Sequence, residues 1–212
     1  MNKVKFAIFD VGNVCYPYTL DFLNEYCMKI SKNPLSLKEK GGVKKFDYKP
    51  FMKGDVDWEQ FCQDLCAYCD IDYSKKVAIE FNKQMHKGVG EFYPETLETM
   101  DFLRQQGVKV CLLSNALPNL DGTGGVLVDE DKRFTSFNLK RLKPDVEIYK
   151  DVLKQLGANP QEVIFVDDKK ANVDAANSIG IKGIVYRQEN ILADVKNMIH
   201  KENNVQLNAR QR

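Results

Sequence analysis

Four clusters of residues in this 212-residue chain could do chemistry together. Asp10-Val11-Gly12-Asn13-Val14 directly follows a short apolar run, and Ser114-Asn115 follows another. Lys143-Pro144-Asp145 closes a loop, and Asp167-Asp168 ends a further apolar run. Together they offer carboxylates, a hydroxyl with backbone donors, and an ammonium group. Phosphoryl transfer asks for such an inventory, because its transition state needs positioning and charge neutralisation more than covalent help. A carboxylate such as Asp10 can attack phosphorus to form an aspartyl phosphate. Ser114 and Lys143 could then hold the non-bridging phosphoryl oxygens. Two acidic strand ends suit a hard cation such as Mg²⁺.

The elements that must position these clusters are visible as patterns. Val4–Phe9, Val108–Leu113 and Val163–Val166 are nearly continuous apolar runs, as parallel strands buried on both faces are. A weaker strand pattern lies at Gly183–Tyr186. Between them, helical periodicity covers Glu95–Gln106, Asp145–Leu156, Ala171–Ile179 and Ile191–His200. Gly107, Gly157 and Gly180 stand where three of these helices should stop. The alternation predicts an α/β fold with a doubly wound parallel sheet, whose ligands sit outside the carboxyl ends of the strands. From Tyr16 to Gly90 it is interrupted: Leu20–Ile30, Trp58–Cys69 and Ser74–His86 have helical spacing, and no strand pattern appears. The expected organisation is a discontinuous core of residues 1–15 and 91–212 with an all-helical insertion over 16–90. Lys201–Arg212 is polar and expected to fray.

In this order, Asp10-x-Gly-Asn-Val, Ser114-Asn115, Lys143-Pro144-Asp145 and Asp167-Asp168 resemble the four motifs of the haloacid dehalogenase superfamily. Phe165–Ala176 is similar to the fourth motif over a whole strand-plus-helix unit, and Lys143–Tyr149 to the third. The resemblance implies a Rossmann-like core with a helical cap, and a Mg²⁺-dependent phosphatase. It implies Asp10 as nucleophile and metal ligand, with the metal also held by the Gly12 carbonyl, by Asp168 directly and by Asp167 through water. Ser114 and Lys143 would bind phosphate, aided by the backbone at Asn115 and Val11. Most phosphatases of this superfamily carry an acid/base aspartate two residues after the nucleophile, where this chain has Gly12. A similar Asp-x-Gly pattern occurs in the α-glucose-1-phosphate phosphatase-like branch, so a sugar phosphate or other phosphomonoester is the expected substrate. The alternative suggested by Gly12 is a binding or regulatory protein that keeps the fold and does not turn over. A haloacid dehalogenase would need no metal and would leave Asp167-Asp168 without a role.

Plainer roles exist for each motif. Asp10 and Gly12 could form an ordinary turn, Ser114 could cap a helix, and the acidic pair could cap the helix after it. Lys143 could be a simple loop lysine. Cys62-x-x-x-Cys66-x-x-Cys69 has the spacing of a radical-SAM iron–sulfur motif, but its thiols lie on a helical pattern with Phe61 and Leu65, which favours packing. Trp58, Tyr16, Tyr18 and Phe46 could line a substrate face, with core packing the simpler expectation. His86 and His200 lie far from the motifs.

Composition sets outer bounds. With 43% hydrophobic and 29% charged residues the chain can bury a sizeable core. A formal net charge of +1 with mixed signs leaves no footprint for nucleic acid or an anionic membrane. No apolar run approaches the roughly 18 residues of a membrane span. Asp10 interrupts the first apolar run before it could serve as a secretory signal. Six cysteines (Cys15, Cys27, Cys62, Cys66, Cys69 and Cys111) lie mostly in apolar patterns and suggest free thiols. A cytoplasmic protein acting on a small phosphorylated molecule is the expectation, with its oligomeric state open.

Overall fold

The computed structural model describes residues 3–121 and 132–199. Five parallel strands form one sheet: β1 (Phe6–Phe9), β2 (Lys109–Ser114), β3 (Lys132–Thr135), β4 (Val163–Asp167) and β5 (Lys182–Val185), in the order β3-β2-β1-β4-β5. The three expected apolar strands occupy its centre. Their alternate side chains feed two separate cores, because successive residues of a strand point to opposite faces. Ala7, Phe9, Val110, Leu112, Ile164 and Val166 pack on one face with Met100 and Leu103 of helix α6 (Pro94–Gln105) and with a last helix over residues 191–199. Ile8, Cys111, Leu113 and Phe165 pack on the other with helix α8 (Val146–Leu156) and Ala176 of helix α9 (Lys170–Ser178). The sheet is therefore doubly wound, as expected.

Strand β3 is the element that periodicity did not reveal. Its four residues, Lys-Arg-Phe-Thr, carry one large apolar side chain, and the strand pairs only with β2. Edge strands tolerate charge because one side of their ladder is open. The glycines expected to stop helices do so: Gly107, Gly157 and Gly180 all have positive φ. At Gly157, φ +62° lets the cap N–H return to the Leu153 and Lys154 carbonyls.

Between β1 and α6 the chain builds a helical body around its own apolar cluster. Its helices are α1 (Asp21–Ile30), α2 (Pro34–Glu39), α3 (Lys49–Met52), α4 (Trp58–Cys69) and α5 (Lys75–Lys87). Asn33, Asp57 and Ser74 start α2, α4 and α5 by accepting from Ser36, Gln60 and Val77 N–H groups. Leu23, Leu37, Phe61, Leu65, Phe81 and Met85 are fully buried in this body. The Phe51 and Phe61 rings stack at 4.3 Å, and Phe46 and Trp58 join the same aromatic group. Two strands of linker run side by side between the bodies: Thr19 N–H donates to the Gly88 carbonyl and Gly90 N–H to the Pro17 carbonyl, both at 2.9 Å.

All six cysteines are buried and unbridged. Burial pushes the Cys62 thiol up to about 12 and Cys66 to about 11. Such thiols are apolar filling, since a cluster ligand must be an accessible thiolate. His86 lies in the last turn of α5 and its Nδ1 lies 2.8 Å from the Asn82 carbonyl. His200 and the Lys201–Arg212 tail lie outside the described residues. No described helix is long and apolar enough to cross a membrane.

Candidate active site

Asp10 follows β1 at the carboxyl edge of the sheet, its N–H donating to the Val166 carbonyl at 2.8 Å. It is buried, and its Oδ1 accepts from Val11 N–H at 2.7 Å and from Lys143 Nζ at 2.8 Å. Both contacts fall on one oxygen, so Oδ2 stands outside that pair. Burial raises the Asp10 carboxyl above the ordinary carboxylate range; Lys143 opposes this and the like charge of Asp167 adds to it.

Lys143 is buried and uses its donors fully, on Asp10 Oδ1, on Asp167 Oδ2 at 2.7 Å and on the Leu113 carbonyl at 2.8 Å. Burial works against its charge, but the two carboxylates outweigh it and hold its pKa above the usual lysine value. Its backbone is pinned from β2: Asn115 Nδ2 donates to the Lys143 carbonyl and Asn115 Oδ1 accepts the Lys143 N–H, each at 2.9 Å. The Lys143–Pro144 peptide is cis, and Asp145 then caps α8 by accepting from Glu147 N–H at 3.0 Å.

The two acids after β4 have different surroundings. Asp167 is wholly buried and accepts from Lys143, from Lys169 N–H at 2.9 Å and, with both oxygens, from Asn172 Nδ2 at 2.9 Å. Asn172 is itself held by α9, where its carbonyl accepts from Tyr149 OH at 2.9 Å. Asp168 is half-buried, and its Oδ1 is buried without a hydrogen-bond partner. Its carboxyl is raised chiefly by burial. Oxygens of Asp10, Asp167 and Asp168 lie within 4.8 Å of one another. Three carboxylates thus share the charges of Lys143 and, beside Asp168, of Lys169, and one buried oxygen lacks a donor. A hard divalent cation fits both facts, since it supplies the missing charge and takes oxygen ligands.

A chamber of about 170 Å³ opens against these groups and is lined by Asp10, Val11, Gly12, Ser114, Asn115 and Lys143. All the candidate residues read from the sequence, apart from Asp167 and Asp168 at its acidic side, line this one space. Tyr16, Tyr18, Phe92, Leu117, Leu120 and Met52 form its apolar wall, with Arg133 and Thr135 from β3. Of the four aromatics that sequence left between core and substrate face, Tyr16 and Tyr18 line the chamber, whereas Trp58 and Phe46 pack in the helical body. Ser114 ends β2, and no α-helix begins there: a short 3₁₀ turn, Pro118–Leu120, follows. The helix-cap role considered for Ser114 is thereby excluded. Neither acid is the N-cap of α9, which is Lys169. A Cβ at Gly12 would meet only Tyr18 Cβ, at 3.8 Å, so this position has room for a side chain that the sequence omits.

Sequence reasoning assigned Asn172 no role, although its spacing five residues after Asp167 was a usable signal: it places an amide one helical turn into α9. The apolar wall carried no such signal, because Met52, Phe92, Leu117 and Leu120 are ordinary core types until the fold brings them together.

A haloacid dehalogenase-like hydrolase family model matches residues 4–180. The sesquiterpene phosphatase of Aspergillus oryzae is 28% identical over 187 residues, covering 85% of this chain and 88% of that protein. A pyrophosphatase of Bacillus velezensis is 30% identical over 146 residues, covering 67% of this chain and 66% of the relative. Of several other curated relatives the chain spans only 11% to 37% of the length. In shape it is similar to a crystal structure of a haloacid dehalogenase-family enzyme from Bacteroides thetaiotaomicron, with a TM-score of 0.74, 22% identity, and coverage of 88% of this chain and 95% of that one. With four motifs converging at one chamber and the family model spanning four of the five strands and the helical insertion, the chain belongs to the haloacid dehalogenase-like hydrolases.

Proposed function

We propose that this protein hydrolyses a small phosphorylated metabolite with Mg²⁺, through a phosphoaspartate formed on Asp10. The observation that carries this reading is the pairing of a buried Asp10–Lys143 contact at 2.8 Å with an unpartnered Asp168 oxygen beside the same chamber. The relatives named as phosphatases support the reaction class. Asp10, Asp168 and the Gly12 carbonyl would hold the cation, with Asp167 reached through water. When bound, the cation offsets charge on the phosphoryl oxygens.

Asp10 Oδ2 attacks phosphorus while the Ser114 hydroxyl and the positive charge of Lys143 steady the phosphoryl oxygens; the bond to the leaving oxygen breaks. Water then attacks the aspartyl phosphate and frees inorganic phosphate and the Asp10 carboxylate. Asp167 keeps Lys143 in place throughout. Residues 16–90 act as the cap that closes the chamber and contributes Tyr16, Tyr18 and Met52 to it. Six buried cysteines without a disulfide suit a reducing, cytoplasmic setting.

Hydrolysis of p-nitrophenyl phosphate, with Mg²⁺ and after chelation by EDTA, tests the proposal. Activity should require the metal, and Asp10→Asn should fold but lose at least about a thousandfold in rate. Undiminished turnover in Asp10→Asn would sink the phosphoaspartate route. Metal and phosphate binding without turnover would favour the reading suggested by Gly12, a protein that holds phosphorylated ligands and leaves them intact.

A further inference from the structure

Lys140 ends helix α7 (Ser136–Leu139) at φ +55°, in the left-handed region that a residue with a Cβ enters at a cost. Glycine would relax this position. The lysine instead reaches out of the sheet body, and its Nζ donates to the Gly54 carbonyl at 2.7 Å. Gly54 follows α3 at φ +66°, and a Cβ there would lie 2.7 Å from Lys140 Nζ and 3.3 Å from Phe137. The two positions are fitted to each other. At the other end of α7, the buried Ser136 Oγ donates to the Met52 carbonyl at 2.6 Å and accepts Ala116 N–H at 3.1 Å. Both bridges cross from the sheet body to main-chain carbonyls of the helical body.

The turn they grip is firm on its own side, since Phe51 of α3 stacks on Phe61. It also carries Met52, a helical-body residue that lines the Asp10 chamber. On the sheet side, α7 leads within a few residues to Lys143. We propose that Lys140 and Ser136 are positioning residues that clasp the Lys49–Gly54 segment against the sheet, and that Met52, held there, selects the leaving group. Bonds to carbonyls set where the segment sits and leave its side chains free to face the chamber. The selection by Met52 rests on the phosphatase reading; the clasp does not.

The single tryptophan of the chain, Trp58, lines the cleft of this seam together with Phe51, Gly54, Phe137 and Lys140. Its fluorescence therefore reads the seam without turnover. Lys140→Gly relaxes the backbone, so it should melt at or above the wild-type temperature, yet acrylamide quenching of Trp58 should rise about twofold as the seam opens. Lys140→Arg, which keeps the cation and its reach, should quench like wild type. With Mg²⁺, the ratio of kcat/KM for p-nitrophenyl phosphate to that for acetyl phosphate should shift about fivefold in Lys140→Gly and Met52→Ala, through KM for the larger ester. Unchanged quenching in Lys140→Gly, or Lys140→Arg behaving as Lys140→Gly does, overturns the clasp. An unchanged ratio in Met52→Ala overturns selection by Met52. A wild type that hydrolyses neither ester overturns the phosphatase reading and selection with it, while the quenching comparison still decides the clasp.

Discussion

Asp167 and Asp168 are neighbours in sequence with opposite duties at the residue scale. Asp167 accepts from four donor contacts and is the counter-charge of a fully buried lysine. Removing it leaves Lys143 with Asp10 as its one carboxylate partner and deprives the buried Asn172 amide and the Lys169 N–H of their acceptor, and each buried donor left unsatisfied costs about 1–3 kcal/mol. Asp167→Ala should therefore melt much lower than wild type in metal-free buffer. Asp168→Ala removes an oxygen that has no partner, so it should melt near wild type and instead require far more Mg²⁺ for activity. Melting curves and metal titrations of the two variants check this, and the reverse order would mean the roles are exchanged. Gly12 supports a second expectation. A general acid contributes about a hundredfold to ten-thousandfold by protonating the leaving oxygen, and Gly12 supplies none. Rates should therefore fall steeply as leaving-group pKa rises, with aryl, acyl and anomeric phosphates favoured over alkyl esters. Because the position has room for a side chain, Gly12→Asp should raise alkyl-ester rates and flatten that slope. A flat slope in the wild type would point to an acid elsewhere in the chamber.

Elements differ in how openly the sequence declares them. β1, β2 and β4 are legible because strands buried on both faces must be apolar throughout, whereas β3, on the sheet edge, buries only Phe134 and the polar Thr135. Helix α4 runs over Trp58–Cys69 as periodicity predicts, bounded by the Asp57 cap and by Asp70 at positive φ. The four-residue α3 and α7 are too short for periodicity to register, yet they carry the bridges between the bodies. The link from β2 to the loop before α8 was likewise unreadable. Asn115 stands in the motif as an aid to phosphate binding, but its side chain is spent on the Lys143 backbone. Asn115→Ala should lose about 1–3 kcal/mol of stability with its two bonds, and weaken inhibition by inorganic phosphate by letting Lys143 drift. Weaker phosphate inhibition at unchanged melting temperature would make Asn115 a direct ligand instead.

As a whole the molecule is two bodies joined by paired linkers: the sheet body buries an apolar cluster on each face and the helical body buries one of its own. Sequence by itself determined the sheet body and the family, and it pointed to the helical insertion and to the residues proposed for the site. Those features are local: an apolar run, a cap or a glycine acts within a few residues, and Asp10, Ser114, Lys143 and Asp167 each stand at or close to the end of such a unit. What tertiary structure alone decided is which atoms meet. Lys143 touches Asp10 and Asp167 only because β1 and β4 are adjacent in the sheet. The Asp168 oxygen is singled out because Asn172 and Lys143 turn to its neighbour. Met52 joins the chamber because α7 grips the turn after α3 across the seam. These contacts join residues tens of positions apart, so their partners are chosen by strand order and packing, for which no short stretch of sequence carries a mark.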